Sequence, residues 1–213
     1  MRTLLRFMVH LSRFFTVYRS YFTMLFRRCF PRSMELPPAE LLRRGSREVQ
    51  RGHYEAGIAL LEQVLEREPA NFVAHINVGS AYYLRAQERR RTGLPGTTED
   101  PAALSAAVAA DLSAAVRHFE HVLALDPHHV QALLNLAAAY SELDRLEDSI
   151  QILQRVLQIH PRCPDCHYNL ATAYLRQGDR ERAREELRKE LEVNPHSPHA
   201  PELLRELEAR GRS

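Results

Sequence analysis

Apolar residues recur at intervals of three and four after about residue 38, which is the spacing of one face of an α-helix. Two such stripes follow one another in the middle of the chain: Leu133, Leu136, Ala137 and Tyr140, then Ile150, Leu153, Val156 and Leu157. Asp144 lies between the stripes, and Pro161 follows the second one, where a helix does not readily continue. The pattern predicts two amphipathic helices joined by a turn at Asp144.

The same pattern returns with a fixed period. Pro127, Pro161 and Pro195 are spaced 34 residues apart, and Tyr140 and Tyr174 share that spacing. Further pairs in the same phase are Asn135 and Asn169, Leu136 and Leu170, and Ala137 and Ala171. A period of 34 residues with two helices in each unit is typical of tetratricopeptide repeats, and the chain resembles that family from about residue 38 onward.

The resemblance implies an all-α fold, a right-handed α-solenoid of about four helix–turn–helix repeats with a C-terminal capping helix. The predicted domain covers 34–213, with units at 38–71, 72–129, 130–163 and 164–197 and a capping helix at 198–210. Unit one departs from the family pattern, because Arg44 and Glu48 stand where Leu and Tyr are expected, although Gly45 fits. We therefore expect its first helix to be less regular.

Unit two contains an insertion. Tyr82 and Pro127 are 45 residues apart, whereas Tyr140 and Pro161 are 21 apart, so unit two is 24 residues longer. Its residues 84–91 suit a longer first helix, and the Ala-rich run at 102–114 suits a longer second helix. The Gly-, Pro- and Thr-rich stretch at 92–101 predicts a loop between them. A disordered loop is the alternative to this helical finger.

Charge divides the chain near residues 31–38. Residues 1–33 carry seven arginines and no acidic residue, which gives them a charge of +7 and leaves −5 for 34–213, for a total of +2. This leader, which also holds half of the aromatic residues, suits a mitochondrial presequence or an interfacial helix on anionic lipid. A third interpretation is that Met34 is the true start. We expect a cytoplasmic protein, or a mitochondrial one if residues 1–33 are a presequence.

The family resemblance places the binding surface in the concave groove lined by the first helices of the repeats. Asn77, Asn135 and Asn169 stand at the same position of units two to four, and this row of amides resembles the asparagine ladder of the O-linked N-acetylglucosamine transferase superhelix. Such amides could hold a peptide main chain, or they could simply bond to neighbouring helices. The other predicted groove residues are Ser80, Leu84, Gln131, Ala138, Glu142, Asp165, Thr172 and Arg176.

Relatives that bind chaperone tails hold a terminal carboxylate with Lys and Arg in this groove. Here the corresponding positions hold Val73, Ile76, Gln131, Leu134, Asp165 and Tyr168. The predicted partner is therefore a protein or an extended or helical peptide of moderate polarity. We expect no nucleic acid and no small-molecule substrate, and a membrane surface only through residues 1–33, which would make the chain a peripheral adaptor.

The string Cys163-Pro-Asp-Cys166-His167 matches the attachment motif of c-type haem. A redox or haem-binding protein using these residues is the other alternative. The surrounding repeat argues against haem, and a reversible disulfide or a weak metal site at the two cysteines is favoured over it. His118 and His121 are interpreted as solvated surface histidines, with His128 and His129 in the following turn. We expect no metal site, no cofactor and no enzymatic activity, because the sequence has none of the common catalytic motifs.

Overall fold

The computed structural model describes residues 36–93 and 100–210. Within those ranges the chain forms nine α-helices and no β-strand, which confirms the all-α prediction. The helices are α1 Pro38–Gln50, α2 Tyr54–Arg67, α3 Phe72–Thr92, α4 Pro101–Leu125, α5 Val130–Glu142, α6 Leu146–Ile159, α7 Cys166–Arg176, α8 Arg180–Val193 and α9 Ala200–Arg210.

The chain divides into two compact units, Met1–Glu40 and Leu41–Ser213. Of the first unit, the structure describes residues 36–40, in which α1 begins at Pro38. The predictions for the basic leader at 1–33 lie outside the described residues, and so does most of the predicted loop of the insertion, 94–99. None of the described helices combines the length and the apolarity needed to cross a bilayer.

The turn inside three of the repeats has a left-handed residue at the same position. Gly52, Asp144 and Gly178 have φ angles of +82°, +61° and +84°, and each is the fifteenth residue of its predicted unit. Glycine adopts this conformation without a steric cost, and Asp tolerates it better than most residues. Ala86 occupies that position in unit two, and there the first helix continues.

The insertion of unit two therefore extends both helices, as the sequence predicts. α3 has 21 residues and α4 has 25, whereas the other helices have 11 to 14. Asp100 caps α4 by accepting a hydrogen bond from the Ala102 N–H at 2.9 Å, and Pro101 follows at the first helical position. The extensions pack through the buried residues Ala86, Val108 and Leu112.

An ion pair also joins the two long helices. Asp111 on α4 is only 3% exposed and accepts hydrogen bonds from Arg85 Nη2 at 2.6 Å and from Arg89 Nη1 at 2.7 Å, both on α3. A buried carboxylate without such partners would be costly. The pairing therefore fixes how the two extended helices lie against each other.

The expectation of a less regular first helix in unit one is wrong. α1 is a continuous helix of 13 residues, with Leu41 and Gly45 buried. Gly45 lies so close to α2 that a Cβ on it would be 2.7 Å from Leu61 Cγ and 3.1 Å from the carbonyl oxygen of Gly57. Gly45, which fits the family pattern, permits this close approach between two helices, and Arg44 is exposed.

Candidate functional site

The helices α3, α5 and α7 lie side by side, joined by polar contacts between their C-terminal halves. Arg90 on α3 forms an ion pair with Glu142 on α5. Arg176 on α7 donates hydrogen bonds to the carbonyl oxygen of Ser141 at 2.6 Å and to its Oγ at 2.9 Å. Arg176 also bonds to Asp144 Oδ1 at 2.8 Å. These contacts connect the first helices of units two, three and four directly.

A cavity of about 220 Å³ lies where these three helices meet α6. Its lining combines apolar side chains with hydroxyl, amide and carboxylate groups: Tyr83, Leu134, Ala137, Ala138, Ser141, Glu142, Ser149, Leu153, Asn169 and Thr172. Ser149 is buried and donates a hydrogen bond to the carbonyl oxygen of Ala137 at 2.8 Å. Burial raises the pKa of the Tyr83 phenol, and the negative charge of Glu142 raises it further.

Four of the predicted groove residues meet at this cavity: Ala138, Glu142, Asn169 and Thr172. The others are placed elsewhere. Ser80 and Leu84 lie on α3, and Leu84 is 40% exposed. Gln131 lies in the first turn of α5, Asp165 precedes α7, and Arg176 bonds to the Ser141 backbone beside the cavity.

The three asparagines of the predicted row differ in their contacts. Asn77 Nδ2 donates to Ser46 Oγ at 2.8 Å, which joins α3 to α1. Asn135 Oδ1 accepts from Gln131 Nε2 at 3.0 Å, on the same helix. Asn169 is exposed, and within the described residues its side chain has no hydrogen-bond partner. The amide is therefore occupied in unit two, half occupied in unit three and available in unit four.

Sequence reasoning missed the residues that line the cavity from the second helix of unit three. Ser149 and Leu153 lie on α6, whereas the predicted groove used first helices only. Tyr83 was missed as well. It lies in the C-terminal half of α3, next to Tyr82, and lines the cavity from that helix. A small residue at Ala138, beside the buried Ala137, is the signal that could have indicated an opening here.

A buried carboxylate holds the start of α7. Glu190 on α8 is fully buried, and it accepts hydrogen bonds from the backbone N–H of Asp165 at 3.0 Å and of Tyr168 at 3.3 Å. Asp165 has a left-handed φ of +62° and makes no side-chain cap of its own. Because the first N–H groups of a helix lack intrahelical partners, Glu190 supplies the cap that Asp165 does not provide.

The haem-like string does not fit covalent haem attachment. Cys163 and Cys166 are buried and joined in a disulfide, so both sulfurs are engaged. His167 is largely buried, and its Nδ1 lies 2.6 Å from Glu186 Oε2 on α8. The string forms the connection between α6 and α7, and the disulfide there agrees with one of the two interpretations favoured over haem, the other being a weak metal site.

The interpretation of His118 as a solvated surface residue is wrong, because it lies against His75 on α3, with Nδ1 atoms 2.9 Å apart. His121 is exposed, yet its ring centroid is 4.0 Å from that of His75. His129 caps α5 by accepting a hydrogen bond from the Ala132 N–H at 3.0 Å.

Across 36–93 and 100–210, the structure has no group of three or more His, Cys, Asp or Glu side chains arranged to hold a metal ion.

Comparison with known structures gives the same fold repeatedly. MamA matches with a TM-score of 0.64 and 19% identity over 82% of each chain. Pseudomonas aeruginosa pilF matches with a TM-score of 0.63 and 20% identity over 82% of this chain and 69% of its own. The first TPR domain of Spaghetti (RPAP3), bound to the HSP90 peptide SRMEEVD, matches with a TM-score of 0.52 and 18% identity, over 66% of this chain and 93% of its own.

At these identities the structural matches establish the fold alone. A search of curated protein sequences gives no significant match. Family profiles described as tetratricopeptide repeat match residues 42–88 and, in two overlapping copies, 108–158 and 144–207. These segments cover well over half of the chain and leave out residues 89–107 in the middle of the insertion of unit two. The chain therefore belongs to the tetratricopeptide repeat family.

Proposed function

We propose that this protein is a non-catalytic scaffold that binds an extended peptide segment of a partner protein across α3, α5 and α7. The observation that carries the proposal is the cavity between these helices, which lies directly beside the available amide of Asn169. Tetratricopeptide folds commonly mediate protein–protein interaction, but a fold alone does not define a ligand. The proposal therefore rests on the site.

The size and lining of the cavity suit one peptide side chain. At about 220 Å³ it is smaller than typical small-molecule pockets, which measure about 300–1,000 Å³. Leu134, Ala137 and Leu153 offer apolar contact, and Ser141 and Thr172 offer hydroxyl groups near them. A side chain that fills the cavity would bury apolar surface while its polar end meets these groups.

The amides beside the cavity are suited to hold the peptide main chain. Asn169 has a donor and an acceptor available, and Asn135 keeps its Nδ2 donor because only its Oδ1 is engaged. One repeat separates these two residues, so an extended segment that crosses from α5 to α7 would meet both. Such main-chain contacts give affinity, and the cavity gives selectivity among side chains.

The electrostatics do not favour an acidic chain terminus as the ligand. The HSP90 peptide in the Spaghetti complex ends in acidic residues. In this protein the corresponding groove positions lack cationic side chains, and the single lysine, Lys189, is on α8 and bonds to Glu186 at 2.7 Å. Arg90 and Arg176 are each neutralised by a carboxylate. We therefore expect the preferred segment to be internal or of moderate polarity.

The test is selection of binding peptides from a random display library against the full chain, followed by affinity measurement on variants. Ala138→Trp fills the cavity from α5, because Ala138 is partly exposed on its lining. We expect this variant to lose at least tenfold in affinity for peptides selected on the wild type. Its circular dichroism and thermal unfolding would be compared with those of the wild type, to separate blocked binding from misfolding.

A matched control places the same bulk outside the cavity. Ala124 is exposed on α4 and is not part of the lining, so Ala124→Trp should bind the selected peptides like the wild type. Equal affinity of the Ala138→Trp and wild-type proteins would refute the proposed site. Equal losses in both tryptophan variants would show that the peptides contact another surface.

A further inference from the structure

Three histidines form a contact row between α3 and α4, outside the proposed peptide site. His75 lies in the first turn of α3 and is 9% exposed. His118 and His121 lie one turn apart on α4, and their ring centroids are 5.2 Å and 4.0 Å from that of His75. Tyr82 extends the row, since its ring stacks on His118 with centroids 6.0 Å apart.

The hydrogen bonds determine which ring nitrogens carry protons. His75 Nε2 is 2.9 Å from the carbonyl oxygen of Pro69, which can only accept, so this nitrogen carries a hydrogen. In neutral His75 the Nδ1 is then bare. Because the two Nδ1 atoms are 2.9 Å apart, His118 must donate its Nδ1–H to His75. The contact thus requires one of the two Nδ1 atoms to be without a proton, and it cannot persist when both rings are protonated.

The surroundings disfavour charge on either ring. Burial lowers the pKa of His118 to about 4, and the positive charges of His75, Arg117 and His121 act in the same direction. Burial also lowers the pKa of His75, helped by His121 and opposed by the bond to Pro69. Tyr82 on α3 bonds through its hydroxyl to Glu62 on α2, and His129 beside α5 packs on Phe72.

We propose that the His75–His118 pair is a proton-sensitive latch that holds the start of α3 against α4 at neutral pH and releases it on acidification. A first proton, taken up at His118 Nε2, leaves the hydrogen bond between the Nδ1 atoms in place but puts a charge beside Arg117 and His121. A second proton, on His75 Nδ1, makes two N–H groups face each other across the 2.9 Å contact. The doubly protonated pair therefore loses its hydrogen bond, and the contact between the helices weakens.

Release would act at a defined place on the repeat. Asn71 caps α3 by accepting from the Ala74 N–H at 2.9 Å, and the bond from His75 to Pro69 closes the same turn. The first turn of α3 also carries Val73, which is 51% exposed. Acidification would therefore loosen the packing of the start of α3 on α4, while α5 and α7 keep their contacts.

The first test is an NMR titration of the full chain, using long-range proton–nitrogen spectra of the imidazoles from pH 7.5 to 4. We expect His75 to carry its proton on Nε2 and His118 on Nδ1 at pH 7.5. We also expect His118 to titrate below pH 5, and backbone amides at 74–77 to exchange faster once both rings are protonated. A His118 midpoint near 6.5, or the opposite tautomers, would overturn the proposal.

The second test measures urea unfolding of the wild type and His118→Gln at a series of pH values. Glutamine keeps an N–H donor for His75 Nδ1 but does not titrate. In the unfolded chain His118 binds its proton near pH 6.5, whereas in the folded chain it does so near 4, so the unfolded state binds more protons between these values. Wild-type stability must therefore fall as the pH falls through this window.

For that group alone, the unfolding equilibrium constant should rise by about tenfold for each unit by which the pH falls within this window. The His118→Gln variant should lack this increase. His128→Gln is the matched control, because His128 is exposed in the turn before α5, and it should follow the wild type. Parallel curves for the wild type and His118→Gln would overturn the latch. If His118→Gln does not fold, the titration of the wild type decides alone.

Discussion

Asn77 and Asn169 occupy equivalent positions of units two and four, yet Asn77 donates a hydrogen bond to Ser46 Oγ at 2.8 Å and Asn169 is exposed. The difference arises from what precedes each unit. α1 carries Ser46 opposite Asn77, and the side chain of Ser46 is itself oriented by a bond of 2.7 Å to the carbonyl oxygen of Leu42. The asparagines recur at the same position of each repeat, but Asn77 is used in a contact between helices whereas Asn169 is available to a ligand.

This difference predicts opposite effects of two alanine substitutions. Asn169→Ala should weaken binding of the selected peptides by about two- to tenfold, the effect of one hydrogen bond of about 0.5–1.5 kcal/mol. Asn77→Ala should leave binding nearly unchanged and lower the free energy of unfolding by about 1 kcal/mol, because Ser46 loses its partner. Isothermal titration calorimetry and urea unfolding measure the two quantities.

Gln158→Ala serves as the control for both, since it removes an exposed amide of α6 that does not line the cavity. It should change neither binding nor stability by more than about 0.5 kcal/mol. If Asn77→Ala weakens peptide binding more than Asn169→Ala does, the assignment of Asn77 to helix packing and of Asn169 to peptide binding is wrong.

The buried Asp111 predicts a large loss of stability. Asp111→Ala leaves Arg85, whose side chain is 16% exposed, without its closest counter-charge, and the packing of α3 on α4 loses its central ion pair. Breaking a buried pair from one side costs about 3–5 kcal/mol, which chemical unfolding would detect. Glu55→Ala is the control. Glu55 is 70% exposed and contacts the same arginines, so its removal should cost less than about 1 kcal/mol. Similar losses in both variants would contradict this account.

The period of 34 residues predicted most of the fold, because apolar spacing and proline position are local signals. It also indicated the insertion, since Tyr82 and Pro127 are 45 residues apart whereas Tyr140 and Pro161 are 21 apart. The cavity was predicted only in part. Its lining includes Ser149 and Leu153 on a second helix, and which small residues leave an opening depends on packing between repeats. The pairing of His75 with His118 was missed, because the two residues are 43 positions apart across an insertion that breaks the period.

The left-handed turn at Gly178 predicts a purely backbone effect. A Cβ at Gly178 would meet no other atom within 4 Å, so Gly178→Ala should be disfavoured only by its φ of +84°. The expected loss is about 1–2 kcal/mol in the free energy of unfolding. Gly178→Asn should lose less, because Asn adopts this conformation more readily. Thermal unfolding of the two variants gives the comparison, and a larger loss for Asn than for Ala would refute the backbone explanation.

Glu190 predicts a local effect at the start of α7, next to the proposed peptide site. Glu190→Ala leaves the N–H groups of Asp165 and Tyr168 without their acceptors. Such orphaned groups cost about 1–3 kcal/mol. Hydrogen exchange should therefore accelerate at these two amides before it does at the centre of α7. Glu190→Gln keeps one carbonyl acceptor and should be intermediate.

Glu192→Ala is the matched control for this change. Glu192 is exposed on the same helix, so its removal should alter stability by less than about 0.5 kcal/mol and leave both amides protected. If Glu190→Ala lowers stability without faster exchange at Asp165 and Tyr168, the carboxylate acts through packing and not as a cap. Asn169 directly follows Tyr168. Loss of the cap in Glu190→Ala should therefore also weaken peptide binding, although Glu190 itself does not contact the peptide.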